Sequence, residues 1–299
     1  CRSGKEQRRV KAALTEALIE SIDAGIKTNG IGHITLSGGE PTLHPGFHDV
    51  LAYCVARGLQ VTVLSNGDSF SKKSNVVRYF EGIDPKYVNV TTAIHNNIPE
   101  LHDRVTAVAG SFDRTVQGLK NLISFGIPFT VKQVISRWNY RNLPEFVDFI
   151  YREYGPFASL TLCGMDFCGM NPEEINEVEV PYREVGPYLE KALEMIMSIR
   201  RQFGGFPLVT VTDLPLCCVD PYYWGFFTKV SRGALSRYSA PEMADGEIVS
   251  SENVESDCDV YCEGCAGCCV SDYCPGIWRS AYKYYGEAAV VPEKTHGVN

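Results

Sequence analysis

Short β-prone runs and amphipathic helical runs take turns along the first two thirds of the chain, and few folds tolerate that order. HITLS (33–37), LQVTVLSNG (59–67), KYVNVTTAI (86–94), PFTVKQVIS (128–136) and ASLTLCG (158–164) each read as a strand. Between them lie helical segments at 5–28, 47–57, 72–81 and 112–125, then one beginning after Asn142 and a long one at 181–203. The first carries Val10, Leu14, Leu18, Ile22 and Ile26 as a ridge along one face. Asn142 is the expected N-cap of the fifth, with Pro144 and Glu145 in its first turn. Strands joined by helical crossovers must run parallel. Five visible βα units, with a sixth strand expected before Cys1, predict an α/β fold: a partial (β/α)6 TIM-like barrel whose first strand is missing. Chemistry in such a fold sits at the C-terminal ends of the strands.

One of those ends is unusual. The strand at 33–37 runs into SGGEPTLHP, where Gly38 and Gly39 lack β-carbons and leave the backbone open to close approach. Glu40 places a carboxylate at the same mouth, and Pro41 keeps Glu40 extended. That combination suits an ammonium group; an ordinary Gly- and Pro-rich βα loop is the plainer reading. Asn66-Gly67, His95 and Cys163 close other strands and are expected at the same mouth.

Past about residue 206 the character changes. PLVTVTDLPLCCVDPYYWGFF (207–227) is apolar and aromatic, a polar loop follows, and then a cysteine-rich segment. Of 12 cysteines, eight fall here, at 217, 218, 258, 262, 265, 268, 269 and 274. A secreted disulfide framework belongs to small domains without a core, whereas 299 residues with 44% hydrophobic content can build one. Clustered cysteines in such a chain point to metal. The expected division is 1–205 for the barrel and 206–299 for a small cysteine-rich C-terminal domain.

The net charge of −8, from 28 basic and 36 acidic residues, argues against sequence-independent nucleic-acid binding. No apolar run is long enough for a membrane span. Cys54, Cys163 and Cys168 read as core or lining thiols, and the aromatic run at 222–227 as packing.

SGGEPTLHP, VLSNG and the long segment LHDRVTAVAGSFDRTVQGLKNLISFGIPFTVKQVISRWNYRNLPEFVDFI together resemble the radical SAM enzymes, which use S-adenosylmethionine (SAM). The likeness covers about residues 1–165. Members hold a 4Fe–4S cluster through a CxxxCxxC loop. CRSGKEQRR looks like the third of those cysteines followed by the first helix, so the resemblance implies Cys1 as a cluster ligand, with its two companions upstream. It implies that Gly38, Gly39, Glu40 and Pro41 hold the methionyl amino group, and that Ser65 and Asn66 lie near the ribose or the methionyl end. A fourth-strand contact falls at Thr92 or Ala93, and Gln133 or Arg137 is placed to meet the SAM carboxylate.

Cys265-x2-Cys268-x5-Cys274-Pro-Gly followed by IWRSAYKYYG is similar to the auxiliary-cluster tails of this family, the SPASM and twitch type. There an upstream thiol joins from a hairpin, which DLPLCC supplies as Cys217 or Cys218; with Cys265, Cys268 and Cys274, Cys217 would close an auxiliary 4Fe–4S cluster. Cys262-x2-Cys265 is an equally good pair, and a structural zinc site is the alternative for the tail.

The resemblance implies reductive cleavage of SAM to a 5′-deoxyadenosyl radical that abstracts a substrate hydrogen. It further implies a reductant such as flavodoxin or ferredoxin and a cytoplasmic, oxygen-sensitive enzyme. The expected substrate is a peptide, with a small molecule or cofactor precursor as the alternative. A non-catalytic iron–sulfur or zinc protein on a degenerate scaffold is the third reading.

Overall fold

The computed structural model describes residues 14–155, 158–204, 207–228, 240–244, 247–251 and 260–290. Six strands form one parallel sheet in sequential order: β1 (His33–Leu36), β2 (Gln60–Ser65), β3 (Val88–Ala93), β4 (Phe129–Val134), β5 (Ala158–Cys163) and β6 (Val209–Thr212). A parallel crossover is right-handed, so strands added always on the same side leave every helix on one face of the sheet. That is the geometry of a barrel wall, here an open, partial TIM-like one. β6 lies in the apolar stretch that sequence reading assigned to the tail; it pairs with β5 from Leu160↔Val209 to Cys163↔Thr212, so the sheet extends past residue 206.

The helices match the periodic segments closely: α1 (Thr15–Asn29), α2 (Phe47–Ala56), α3 (Lys73–Phe80), α5 (Ser111–Ser124), α6 (Leu143–Tyr154) and α8 (Tyr182–Gln202). The start of the first expected helix, and Cys1 with it, lies outside the described residues. Two short helices escaped the sequence reading, α4 (Pro99–Thr106) and α7 (Pro172–Val178). α7 has a full capping box between Asn171 and Glu174, a signal that was present in NPEE. Asn142 occupies the N-cap position of α6, but its side chain makes no capping bond. A 3-10 turn over Tyr140–Asn142 runs directly into the helix instead.

Strand side chains alternate, and the sheet's two faces differ in kind. Toward the helices point Val61 and Val63, Val90, Phe129 and Val131, Leu160 and Leu162, each no more than 2% exposed. With Phe70, Leu51, Leu119 and Phe146 they form the core. The alternate residues form the inner face: Thr62, Asn89, Thr91, Thr130, Lys132, Ser159, Thr161 and Thr210 are all half-buried. α5 packs unusually close to the end of β2. A β-carbon on Gly118 would stand 2.5 Å from the carbonyl oxygen of Gly67, so only glycine fits there.

Among the described residues, the tail has little regular structure. A hairpin of β7 (Ala240–Ala244) and β8 (Glu247–Ser251) is followed by an isolated antiparallel bridge, Val260↔Ile277, and by α9 (Arg279–Tyr285). α9 docks on the barrel through specific bonds. Ser280 Oγ donates to Asp166 Oδ1 (2.7 Å) and accepts from the Phe167 amide (2.9 Å), and Tyr285 donates to Glu179 Oε2 (2.8 Å).

Candidate functional site

At the C-terminal end of β1 the loop Ser37–Pro41 is held from beneath. Gly38 has φ +142°, a conformation that favours glycine, and both Gly38 and Gly39 are exposed. A β-carbon on either would meet nothing within 4 Å, so their backbone borders open space. Glu40 is extended (φ −141°, ψ 109°), as its following proline requires. Its carboxylate is taken up by the protein. Oε1 accepts from Thr42 Oγ1 (2.6 Å), Ser65 Oγ (2.9 Å) and the Thr42 amide (3.2 Å), and Oε2 accepts from the Asn66 amide (2.8 Å). A carboxylate offers about four lone-pair sites, so this one is nearly saturated. Glu40 thus ties the end of β1 to the end of β2, with three of the four bonds on Oε1 and one on Oε2.

Ser65 is buried and fully used, donating to Glu40 and accepting from the Gly67 amide (3.1 Å). Asn66 is exposed; its Oδ1 accepts from the Asp68 amide (2.9 Å), while its Nδ2 faces no partner among the described residues. Thr92 pairs in register with Ser65 and is completely buried on the helix side. Its methyl would lie 2.9 Å from a β-carbon on Gly67, and its hydroxyl has no partner among the described residues. Thr92 therefore sits under the mouth and does not line it. Gln133, also completely buried, donates from Nε2 to the His95 carbonyl (3.2 Å), and Arg137, beyond the strand end, is engaged by Glu179.

The loop after β3 is locked in the same manner. The His95 carbonyl also accepts from Asn139 Nδ2 (2.9 Å), and its amide donates to His102 Nδ1 (3.1 Å). Burial, reinforced by the neighbouring His102, pushes the His95 imidazole down to about 4, so it is neutral near pH 7. At the end of β5, the single S–H of Cys163 is shared between Asp213 Oδ2 (2.9 Å) and the Gly164 carbonyl (3.1 Å). Burial first, then the Asp213 charge, push its thiol up to about 12. It is a neutral, bonded lining cysteine. Asp213 has φ +59°, and a β-carbon on Gly164 would lie 1.9 Å from its carbonyl oxygen.

The second cluster of chemistry lies in the tail. Five cysteines line one cavity: Cys217, Cys262, Cys265, Cys268 and Cys274. Of the pair at 217 and 218, only Cys217 faces it. The Cys218 turn is pressed onto α8, where a β-carbon on Gly186 would stand 2.0 Å from the Cys218 carbonyl oxygen. Each CxxC spacing makes one tight turn, with the Cys265 amide bonded to the Cys262 carbonyl (2.9 Å) and the Cys268 amide to that of Cys265 (3.1 Å). Cys274 Sγ accepts from the amides of Leu216 (3.5 Å) and Gly276 (3.4 Å), joining the tail to the upstream turn. Cys262 is the lining residue that the sequence reading left open; Cys269 is exposed and Cys258 lies outside the described residues. Among the described residues, no three His, Cys, Asp or Glu side chains converge closely enough for one metal ion. A set of thiolates is the donor chemistry that both an iron–sulfur cluster and a structural zinc take.

Comparison with known proteins agrees with this geometry. The model of the Radical SAM superfamily matches residues 1–150. Fe-coproporphyrin III synthase of Methanosarcina barkeri is 24% identical over 64% of this chain and 45% of its own length. Mycofactocin maturase MftC of Mycobacterium tuberculosis is 30% identical over 43% and 32%, and PqqA peptide cyclase of Methylorubrum populi 26% over 40% and 30%. The chain thus spans less than half the length of these curated relatives. Among solved structures, Streptococcus suis SuiB bound to precursor peptide SuiA superposes with a TM-score of 0.51 at 19% identity, covering 67% of this chain and 42% of SuiB. Native anSMEcpe with bound AdoMet and the Cp18Cys peptide gives 0.51 at 13%, covering 65% and 55%. Both share the fold. No helix among the described residues is long and apolar enough to cross a membrane.

Proposed function

The chain belongs to the radical SAM superfamily, and on that footing we propose that it is a maturase-type oxidoreductase that modifies a peptide. When bound, the cluster and SAM would supply reductive cleavage of the sulfonium and, through it, hydrogen-atom abstraction from the substrate. The observation that carries the reading is the open Gly38–Gly39 edge, fixed by the four bonds that Glu40 makes to Thr42, Ser65 and Asn66. Its backbone acceptors would hold the methionyl ammonium, with Asn66 near the ribose or the methionyl end. Ser65 and Thr92 act from below, as posts that keep the β2 and β3 ends in place. Cys1 would be a ligand of the SAM-binding cluster. Cys217, Cys265, Cys268 and Cys274 would hold an auxiliary four-iron cluster, with Cys262 in reach as a substitute ligand. Flavodoxin or ferredoxin would supply electrons in the cytoplasm.

The peptide substrate rests on the maturase and peptide-cyclase relatives. A second reading, the same chemistry on a small cofactor precursor, is favoured by the length of the match to Fe-coproporphyrin III synthase. The test is anaerobic: the full-length protein is reconstituted, given dithionite and SAM, and assayed for 5′-deoxyadenosine and methionine. Formation of both in equal amounts, with about eight irons bound, supports the proposal. No 5′-deoxyadenosine from a protein carrying its full iron complement overturns it.

A further inference from the structure

Glu179 lies between α7 and α8, and its side chain is only 12% exposed. A carboxylate held that far from water needs partners for its oxygens. It takes them from two different regions. Arg137, just past β4, ion-pairs with Oε1 and donates from Nε to the Glu179 carbonyl (2.9 Å), while its amide donates to the Val178 carbonyl (2.8 Å). Oε2 accepts from the Tyr285 hydroxyl at the end of α9 (2.8 Å). One oxygen therefore serves the barrel and the other the tail.

Tyr285 is also where the tail turns from barrel to thiols. Its ring helps to close a cavity whose other walls include Ile135 after β4, Met165 and Phe167 after β5, and Leu214 after β6. The next two residues reach the thiol loop. The Gly286 carbonyl accepts from Cys262 Sγ (3.8 Å), and Glu287 Oε2 accepts from the amide of Glu263, inside the Cys262–Cys265 turn (2.8 Å). Tyr282 donates to Glu287 Oε1 (2.7 Å) and ties that carboxylate back to α9. Three consecutive residues thus touch the strand ends on one side and the thiol loop on the other. The turn after β6 does the same from the barrel: Leu214 lines the Tyr285 cavity, and Pro215 and Cys217 line the thiol cavity.

Two packed contacts placed back to back on the same short segments do not rearrange independently. Apolar packing alone leaves a phenol ring free to slide, whereas a charge-assisted bond fixes one register. Resting on the reading of the tail as a metal–thiolate site, we propose that Glu179 is a positioning residue: held between Arg137 and Tyr285, it registers the thiol loop against the ends of β4–β6, so that metal in the tail sets the order of the segment after β5. The bonds that hold the loop after β1, from Glu40 to Thr42, Ser65 and Asn66, share no residue with this linkage.

The test uses the full-length protein reconstituted without oxygen. Hydrogen exchange with mass spectrometry is read over residues 164–180, and bound metal is measured throughout. Stripping metal from the wild type is expected to speed exchange there about tenfold. Tyr285→Phe keeps the ring and removes only the hydroxyl. With metal still bound it should exchange about tenfold faster than wild type over 164–180, and chelation should then add no more than about twofold. Glu179→Gln still accepts from Tyr285 but cannot ion-pair with Arg137, and should fall between the two. A purely structural loss would add to that of metal removal, because independent effects add. SAM affinity is expected to stay within about twofold of wild type in Tyr285→Phe. Equal metal dependence over 164–180 in wild type and Tyr285→Phe overturns the proposal, as does a wild type whose residues 260–290 loosen on chelation while 164–180 do not. Metal content separates these failures from that of the reading beneath: a tail that takes up no metal defeats both.

Discussion

The barrel wall and the cysteine-rich tail are held together by different means. In the wall, alternate residues of six strands are buried under helices, and core side chains such as Phe70, Leu119 and Phe146 are fully inaccessible. In the tail, residues 260–290 contain one isolated bridge, a seven-residue helix and turns around a cavity lined with thiols. The first region encodes its stability in apolar area. The second has little of it, and what its thiols bind is expected to supply the remainder.

Iron removal should separate the two most sharply. Chelation, or Cys274→Ser, is expected to accelerate amide exchange across 260–290 by more than about a hundredfold while β2–β5 stay protected. Hydrogen exchange with mass spectrometry reads both regions at once, and equal loosening of the wall would show that they unfold as one unit. A pH series sharpens the comparison from the barrel's side. The folded His95 titrates at about 4, below its unfolded value, so the folded state is favoured while the ring is neutral. Stability is full above about pH 6.5 and falls as pH drops from there to about 4, by up to about 3 kcal/mol. Denaturant midpoints should follow that curve in wild type and flatten in His95→Asn.

Glu40→Gln removes the charge from four hydrogen bonds and is expected to cost about 2 kcal/mol of barrel stability and roughly tenfold or more in SAM affinity. Calorimetric SAM titration checks this; unchanged affinity would deny the mouth its role. Gly186→Ala drives a β-carbon into the Cys218 carbonyl and should cost about 1–2 kcal/mol. Because that contact carries the Cys217 turn, bound iron should fall as well, and a stability loss without iron loss would uncouple α8 from the tail. Cys163→Ser is the smallest change, below about 1 kcal/mol with iron content intact, since its thiol serves Asp213 and not the tail cavity.

The strand–helix alternation, the barrel class, the glycines at 38 and 39 and the thiol pattern at 265, 268 and 274 were all legible, because each is a local signal. Period two and period 3.6 are written in neighbouring residues, and a CxxC turn needs only two residues between its cysteines. What the sequence could not carry was direction across space. That β6 belongs to the sheet depends on a hydrogen-bonding partner about fifty residues earlier. Two of the partners of Glu40, Ser65 and Asn66, lie 25 and 26 residues away, so its role as a tie between strand ends appears only in the fold. The choice of Cys217 over its neighbour follows from how close α8 approaches at Gly186. Thr92 and Lys132 sit one strand apart, yet parity puts one under the helices and the other on the inner face. Local chemistry decided which residue types are present; only tertiary packing decided which side of the sheet each one serves, because a strand turns its side chains to both faces and the helices cover just one.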